Sequence, residues 1–270
     1  MVEESLEAQN VRLKNELHEA RQAIELLKRR NEDRTRAEVL SLEHIISKYF
    51  GPLPLPDEEL RLHVGAKATA SNFLLQGRQS SRKVLDVFGT DPVGPILDWG
   101  CGTGRTLRWL LEYPGWKENY RGTDVDASAI EWLRKRGIAN VTVCNDEVIS
   151  LPYQDSELSG LFCFSVLTHI HPDNFRPWFQ EIARVVKPGA LAYLTFNGDN
   201  ITKSTEPNHA ETAKAFVADG AAWLEHPGNY KSAAFISHER IREYAEGIFE
   251  VEKVVERDYD TMDALYARPL

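Results

Sequence analysis

The chain has 270 residues, of which 42% are hydrophobic and 27% are charged. This balance supports a buried core in one or two domains, and it excludes a disordered, collagen-like or disulfide-rich chain. The net charge of -9 provides no general positive field for a phosphate backbone, so we expect no nucleic-acid partner.

The cysteines and the first residues indicate the compartment. Three cysteines are scattered along the chain and none forms a C-x-x-C pair, which favours a reducing compartment and argues against a zinc site. We assign no metal ligands, although distant Asp and His ligands would leave no linear trace. The acidic start has no apolar h-region, and no segment approaches the ~18 apolar residues of a membrane span. We therefore expect a cytoplasmic protein without a membrane span.

Residues 1–36 are predicted to form a coiled-coil helix. They contain neither Gly nor Pro, and a heptad assignment places Asn10 and Asn31 at a positions. The d positions are then filled by Leu6, Leu13, Ala20 and Leu27. A buried Asn pair favours a parallel dimer, so we expect a homodimer formed through this coil. A single amphipathic helix folded onto its own domain, or a solvated charged helix, is the alternative.

Residues 37–94 are predicted to be a helical linker and cap region. A helical pattern over 37–50 is broken by GPLPLP at 51–56, a sequence that cannot continue a helix. Asp57 is placed to cap a further helix with the sequence EELRLHV, and another helical pattern over 80–88 ends at Gly89.

From Pro95 onward, short apolar runs alternate with helical patterns, which predicts an α/β domain with a parallel sheet over residues 95–270. Helices are expected at 105–112, 127–136 and 173–186, and from a cap at Ser237 to 246. The expected strands are 96–99, 120–123, 141–144, 160–165 and 191–196, followed by 248–256 and 263–267, which lie close enough to pair antiparallel.

The strongest local signal is PILDWGCGTGR at 95–105. A buried strand ends at Asp98 and leads into Gly100, Gly102 and Gly104, which let a ligand approach backbone N–H groups at a helix start. This pattern predicts a small anionic or zwitterionic ligand. A dinucleotide fingerprint would require Gly at position 105, where this chain has Arg105, so a nicotinamide cofactor fits less well.

Two more acidic residues follow the next strands. Asp124 lies twenty residues after Gly104, at the position where a carboxylate can accept both hydroxyls of a ribose. Asp146 follows the third strand and suits an exocyclic adenine amine. Each of these acids could instead cap the following helix. Together with Asp98, however, they place carboxylates at the ends of three consecutive strands.

These stretches resemble the class I S-adenosylmethionine-dependent methyltransferases from about Phe73 to the C-terminus. The matching segments are LDWGCGTGR, GTDVDASAIEWLR, VTVCNDEVISLPYQDSELSGLFCFSVLTHI and ARVVKPGALAYLTF. The resemblance implies S-adenosylmethionine as cofactor, with S-adenosylhomocysteine as product. It also implies a Rossmann-like doubly wound sheet of strand order 3-2-1-4-5-7-6, with the last strand antiparallel. The segment NFLLQGRQ at 72–79 resembles one that closes over the cofactor in some glycan and small-molecule members.

The resemblance also supplies the expected cofactor contacts. The residue that contacts the adenine could be Asn145, Asp146 or Glu147. The spacing from Asp146 to the Leu-Pro-Tyr sequence at 151–153 is one residue longer than expected, so the resemblance does not decide among them. The complete expected set is Asp98, Gly100, Cys101, Gly102, Gly104, Arg105, Asp124, Val125, Asp146, Glu147, Phe164 and Ser165.

Methyl transfer from a sulfonium is an in-line displacement, so few catalytic side chains are needed. A hydroxyl acceptor also loses a proton, and a base near the end of the fourth strand is the natural helper. His169, in SVLTHIHP, is our candidate base, with His171 and His238 as further candidates. Alternatively, His169 orients the loop and caps a helix.

Residues 197–235 form a long connection that we interpret as a substrate lid, although an insertion with a small core of its own is the alternative. The expected substrate contacts are His171, Asn197, Trp223, Tyr230 and His238. The expected function is methyl transfer to a small-molecule or glycan acceptor at a hydroxyl oxygen. Two alternatives stay open: N-methylation of an amine or a protein side chain, and a non-catalytic scaffold that binds S-adenosylmethionine.

Overall fold

The computed structural model of the protein describes residues 53–63, 69–145, 148–203, 209–225 and 232–270. The coiled coil predicted for 1–36 and the helical pattern at 37–50 lie outside these ranges. The same holds for three predicted site residues, Asp146, Glu147 and Tyr230. No helix in the described ranges is both long and apolar enough to cross a membrane.

Helices and strands alternate through most of the described chain. The α-helices are α1 (Glu58–His63), α2 (Ala70–Phe88), α3 (Leu107–Leu110), α4 (Pro114–Asn119), α5 (Ala127–Arg134), α6 (Phe175–Val185), α7 (Ala210–Asp219) and α8 (His238–Ala245). The strands are β1 (Ile96–Trp99), β2 (Tyr120–Asp124), β3 (Val141–Val143), β4 (Leu158–Cys163), β5 (Val186–Phe196), β6 (Ala221–Leu224), β7 (Ala233–Ile236), β8 (Phe249–Tyr259) and β9 (Met262–Pro269).

Seven strands form the central sheet, in the order β3-β2-β1-β4-β5-β9-β8. Strands β1 to β5 pair in parallel, and β9 runs antiparallel to both β5 and β8. With the two insertion strands β6 and β7 left out of the count, this is the order 3-2-1-4-5-7-6. The predicted Rossmann-like topology and the predicted antiparallel pairing of the last two strands are therefore confirmed.

Strand β5 is longer than the sequence pattern predicts. It begins at Val186 rather than at 191, so it also contains Lys187, Pro188 and Gly189, which directly follow the helix predicted for 173–186. Its pairing with β4 shifts register between Leu158 and Gly160, so the extra residues are accommodated at a bulge. Pro188 is tolerated there because ladder hydrogen bonding is interrupted at such a bulge.

Helix α2 is also longer than expected. The predicted pattern began at Ser80, whereas the helix starts at Ala70, after Thr69 accepts a hydrogen bond from the Asn72 N–H. Gly77 lies inside this helix, and a Cβ atom there would collide with the carbonyl of Arg105. The helix contains a glycine because its backbone packs directly against the glycine-rich turn after β1.

Both faces of the sheet are covered by helices. One core contains Trp99 on β1 and residues of α6 and α8, and the rings of Trp99 and Trp178 lie 4.9 Å apart. The other contains residues of α2, α3 and α5, with Trp116 fully buried. Because both faces are apolar and covered by helices, polar ligands can reach the sheet at the ends of its strands.

Residues 197–235 contain structure that the sequence did not predict. They carry α7 and the antiparallel pair β6–β7. A small separate core forms among Ile201, Phe216, Ala222, Leu224 and Phe235. The insertion is thus a packed unit with a small core of its own, as the alternative to a substrate lid predicted, and a bridge joins Asn197, next to the end of β5, to Phe235.

Candidate cofactor and acceptor site

The glycine-rich turn leaves the carboxyl end of β1. Gly100, Gly102 and Gly104 adopt φ values of 82°, 51° and 73°, which side chains disfavour. The N–H groups of Gly100 and Cys101 donate to the Thr123 carbonyl at 2.8 and 3.0 Å, so the turn is fixed to the end of β2. A Cβ atom at Gly100 would collide with the side chain of Val166. The turn therefore needs glycine for its conformation and, at Gly100, for space.

Asp124 joins the glycine turn to the end of β2. Its Oδ2 accepts from the Gly102 N–H at 2.6 Å, and its Oδ1 accepts from the Asp126 N–H at 2.9 Å. Burial raises the pKa of the Asp124 carboxyl, although these hydrogen bonds act in the opposite direction. Two of the sequence-predicted cofactor residues, Gly102 and Asp124, are thus in direct contact.

Asp98 is the buried acid beside the turn, with only 3% of its surface exposed. The Tyr120 hydroxyl donates to its Oδ2 at 2.9 Å. Burial raises the pKa of the Asp98 carboxyl to about 7, and the charge of Asp124 adds to this rise, while Tyr120 and Arg105 oppose it. A cationic ligand would favour the charged form of this carboxyl.

Helices α1 and α2, which precede β1 in the chain, pack against the loops that follow β2 and β1, respectively. The Arg105 guanidinium donates to Gln76 Oε1 of α2 at 2.7 Å, and the Tyr259 hydroxyl donates to the Gln76 carbonyl at 3.2 Å. His63 Nδ1 of α1 lies 2.7 Å from Asp126 Oδ2, in the loop after β2. The segment at 72–79 therefore contacts the glycine turn through Gln76 and Gly77.

Arg108 ties the start of the described chain to the same region. It is fully buried in α3, and its guanidinium donates to the carbonyls of Leu53 and Pro54 at 3.0 and 2.6 Å. Burial lowers the pKa of this guanidinium to about 10. Arg108 was not predicted as a functional residue, because an arginine on a short helix carries no local sign of so distant a partner.

The other predicted cofactor residues differ in exposure. Cys101 is buried, and burial raises the pKa of its thiol well above the ordinary value. Val125 is 41% exposed, whereas Phe164 is buried with its ring 4.4 Å from that of Tyr259. Ser165 has a φ of 64°, and its N–H donates to Thr195 Oγ1 at 2.8 Å. Cys101 lies within the turn, Val125 follows β2, and Phe164 and Ser165 follow β4.

His169 ends the short 3-10 turn after β4 and is exposed. Its Nδ1 lies 3.1 Å from the carbonyl oxygen of Ser232. Because a carbonyl can only accept, Nδ1 carries the proton in this hydrogen bond and donates it. Nε2 of a neutral imidazole is then the nitrogen that can accept a proton.

Two of the predicted substrate residues lie together on a cavity. The rings of His171 and Trp223 are 5.3 Å apart, and both line a cavity of about 340 Å³ with Arg240 and Tyr244 of α8. The insertion contributes one wall of this cavity through β6 and the end of α7.

Asn197 and His238, also predicted as substrate residues, do not line this cavity. Asn197 Nδ2 donates to the Ala234 carbonyl at 3.1 Å, which holds β7 against the end of β5. His238 Nε2 lies 2.7 Å from Oδ2 of Asp263, whose side chain is 5% exposed. Both side chains therefore bind other residues of the protein, and neither lines the cavity.

Comparison with known proteins yields a domain match. Residues 96–189 match the family described as methyltransferase domain, which is less than half of the chain. A 24-methylenesterol C-methyltransferase 2 from rice, Oryza sativa subsp. japonica, is 25% identical over 142 residues, covering 50% of this chain and 38% of that protein. The uncharacterized methyltransferase YodH of Bacillus subtilis is 33% identical over 121 residues, covering 43% of this chain and 48% of YodH. The chain thus spans half or less of the length of these curated relatives.

A solved structure gives a likeness of fold. The crystal structure of a SAM-dependent methyltransferase from Methanosarcina mazei superposes with a TM-score of 0.50 at 21% identity, covering 69% of this chain and 97% of that one. At this identity the likeness concerns the fold. The domain match and the sheet order support both expectations drawn from the motifs: residues 96–189 carry an S-adenosylmethionine-dependent methyltransferase domain, and S-adenosylmethionine is its cofactor.

Proposed function

We propose that the protein transfers a methyl group from S-adenosylmethionine to a small-molecule or glycan acceptor, at a hydroxyl oxygen. The observation that carries this proposal is the pair of acids, buried Asp98 and partly buried Asp124, on either side of a glycine turn at the carboxyl ends of β1 and β2. In open α/β sheets, ligands bind outside the carboxyl ends of the strands.

The residues around the turn fit the chemical groups of this cofactor. Asp98 would face its cationic part, and Asp124 would accept from the ribose hydroxyls. The adenine contact that the resemblance implies, one of Asn145, Asp146 and Glu147, stays part of the proposal. The three glycines leave the backbone open to close approach. When bound, the cofactor supplies a methyl group activated by the positive charge on sulfur.

His169 is the proposed base for the acceptor hydroxyl. Its Nδ1 donates to the Ser232 carbonyl, which fixes the tautomer and leaves Nε2 to take the proton that the hydroxyl loses. This backbone contact also limits rotation of the ring. In the neutral ring, Nε2 is therefore the nitrogen that can act as the base.

The cavity beside the insertion is the proposed acceptor site. Its volume of about 340 Å³ falls at the small end of ligand sites, which are roughly 300–1,000 Å³. Trp223 and Tyr244 offer aromatic walls, and Asp173 and Asp219 offer carboxylates that can accept from hydroxyl groups. The rice relative is named for a sterol acceptor, which agrees with a small-molecule substrate but names a carbon atom as the methylated position.

Cofactor binding is the first test of this proposal. Calorimetric titration of the full chain with S-adenosylmethionine and S-adenosylhomocysteine should show saturable binding, and Gly102→Val should abolish it. Gly137→Val is the matched control, because Gly137 has a φ of 82° with nothing near its Cβ position and lies outside the turn. Binding of NAD in place of both ligands would contradict the proposal.

The acceptor class requires a turnover experiment. Incubation with methyl-labelled S-adenosylmethionine and a library of hydroxylated small molecules and glycans should produce O-methylated products, identified by mass spectrometry. Products methylated at nitrogen or carbon would refute the proposed transfer to oxygen. A chain that binds the cofactor but labels nothing in any library would behave as the scaffold alternative.

We also propose that residues 1–36 form a coiled coil that makes the protein a homodimer, and that the protein acts in the cytoplasm. Deletion of these residues should halve the mass measured by analytical ultracentrifugation while S-adenosylhomocysteine affinity stays unchanged. A dimer that persists after the deletion would remove the coil from the interface.

A further inference from the structure

Tyr120 and Asp98 form a buried pair that no sequence motif pointed to. Tyr120 begins β2 and is 2% exposed, and its hydroxyl reaches Asp98 Oδ2 on the neighbouring strand β1. Gly122, two residues further along, shares the Tyr120 face of β2. A Cβ atom at Gly122 would lie 3.1 Å from the Tyr120 hydroxyl and 2.9 Å from Cys101 Sγ. The phenol therefore occupies the space that a side chain at 122 would need.

The other groups around Asp98 act on its charge in different ways. Asp124 raises the pKa of the Asp98 carboxyl and Arg105 lowers it. The buried thiols of Cys101 and Cys163 have raised pKa values, so they are uncharged near neutral pH. In the described part of the chain, Tyr120 donates to Oδ2, and no residue donates to Oδ1.

We propose that Tyr120 is a positioning residue for the cofactor: its phenol orients the Asp98 carboxylate and favours its charged form, so that Oδ1 receives the ammonium group that S-adenosylmethionine shares with S-adenosylhomocysteine. This inference rests on the proposed function, because it takes that molecule as the ligand. A hydrogen bond to a carboxylate stabilises the charged form, and the effect is stronger in a buried site than in water.

The test measures S-adenosylhomocysteine affinity by calorimetry from about pH 6 to about pH 9 for the full natural chain and for Tyr120→Phe. Loss of a hydrogen bond to a charged group should weaken binding about 10- to 100-fold near pH 7. The ratio of the two dissociation constants should fall toward a few-fold at the alkaline end, because the substitution moves ionisation of Asp98 about one to two pH units upward. Taking this ratio at each pH cancels titration of the ligand's own amino group.

Tyr266→Phe is the matched control. It removes a hydroxyl that donates to Asp258 Oδ2 at 2.8 Å, on strands away from the glycine turn. Its affinity ratio to the natural chain should be close to one at every pH. A Tyr120→Phe ratio that is constant across the pH range, as a purely structural role would give, would overturn the inference.

A second measurement uses the natural chain alone, for the case that Tyr120→Phe does not fold. Near pH 6.5, part of the Asp98 population is protonated, since its pKa is about 7. Binding should then release protons, detected as a dependence of the binding enthalpy on buffer ionisation enthalpy. Binding with no proton release would also overturn the inference. A natural chain that does not bind S-adenosylhomocysteine at all would refute the proposed function instead.

Discussion

The substitution Asp98→Asn is expected to stabilise the ligand-free protein and to do so increasingly as pH rises. Burial raises the pKa of Asp98 from its ordinary value of 3.8 to about 7, so the folded chain holds a proton that the unfolded chain has lost between these values. Folding stability therefore falls as pH rises through this window, and the loss is complete above about pH 7. The full shift corresponds to about 4 kcal/mol. An Asn side chain has no charge to bury, yet its amide oxygen can still accept from Tyr120.

Urea unfolding of both chains, followed by circular dichroism without ligand, gives the measurement. The variant should be more stable by about 2 kcal/mol near pH 5 and by about 4 kcal/mol near pH 8. Asp258→Asn is a useful contrast: Asp258 pairs with Lys83 at 3.1 Å, so losing its charge should destabilise the fold. An Asp98→Asn gain that is equal at both pH values, or a loss near pH 8, would refute the reasoning.

Three further substitutions test other contacts. Gly100→Ala should lower stability by about 1–3 kcal/mol in thermal unfolding, because the new methyl group meets Val166 and φ is 82°; an unchanged melting temperature would contradict this steric argument. Arg108→Met keeps much of the buried volume but leaves the carbonyls of Leu53 and Pro54 without their donor. We expect the free energy of unfolding to fall by about 2–4 kcal/mol and proteolysis near residue 53 to become faster. Proteolysis as slow as in the natural chain would argue that Arg108 does not hold this segment. His238→Ala removes one of the two partners of buried Asp263, the other being the Arg257 N–H, and should cost about 1–3 kcal/mol in urea unfolding, whereas a neutral result would mean that water replaces the ring.

The sheet could be predicted from sequence because its signals are local. Short apolar runs ending in acids and glycines fix β1, β2 and the turn between them, and the order of the remaining strands followed from the resemblance to methyltransferases. The pair β6–β7 was missed for two reasons. Each strand has four residues with two alanines, which favour strands weakly, and the connection between them is longer than a tight hairpin turn.

The candidate site was predictable in part for a similar reason. Asp98, Gly102 and Asp124 belong to contiguous motifs, and the structure brings them together at the carboxyl ends of β1 and β2. Tyr120 and Arg108 act through partners on other elements, at separations of 22 and about 55 residues, which no local pattern encodes. A signal for Tyr120 does exist: the Tyr-x-Gly spacing places a large residue beside an empty position on the same strand face.

Strand β7 is a shared wall between two packing environments. Ala234 and Ile236 face the main core beneath the sheet, whereas Phe235 belongs to the small core of the insertion. Exchanges at Phe235 can therefore reshape the insertion while the sheet keeps its packing, whereas exchanges at Ile236 disturb the packing of the main core. If this fold diversifies toward new acceptors, we expect substitutions in β7 at Phe235, which packs in the insertion, and few at the neighbouring positions 234 and 236, which pack in the main core.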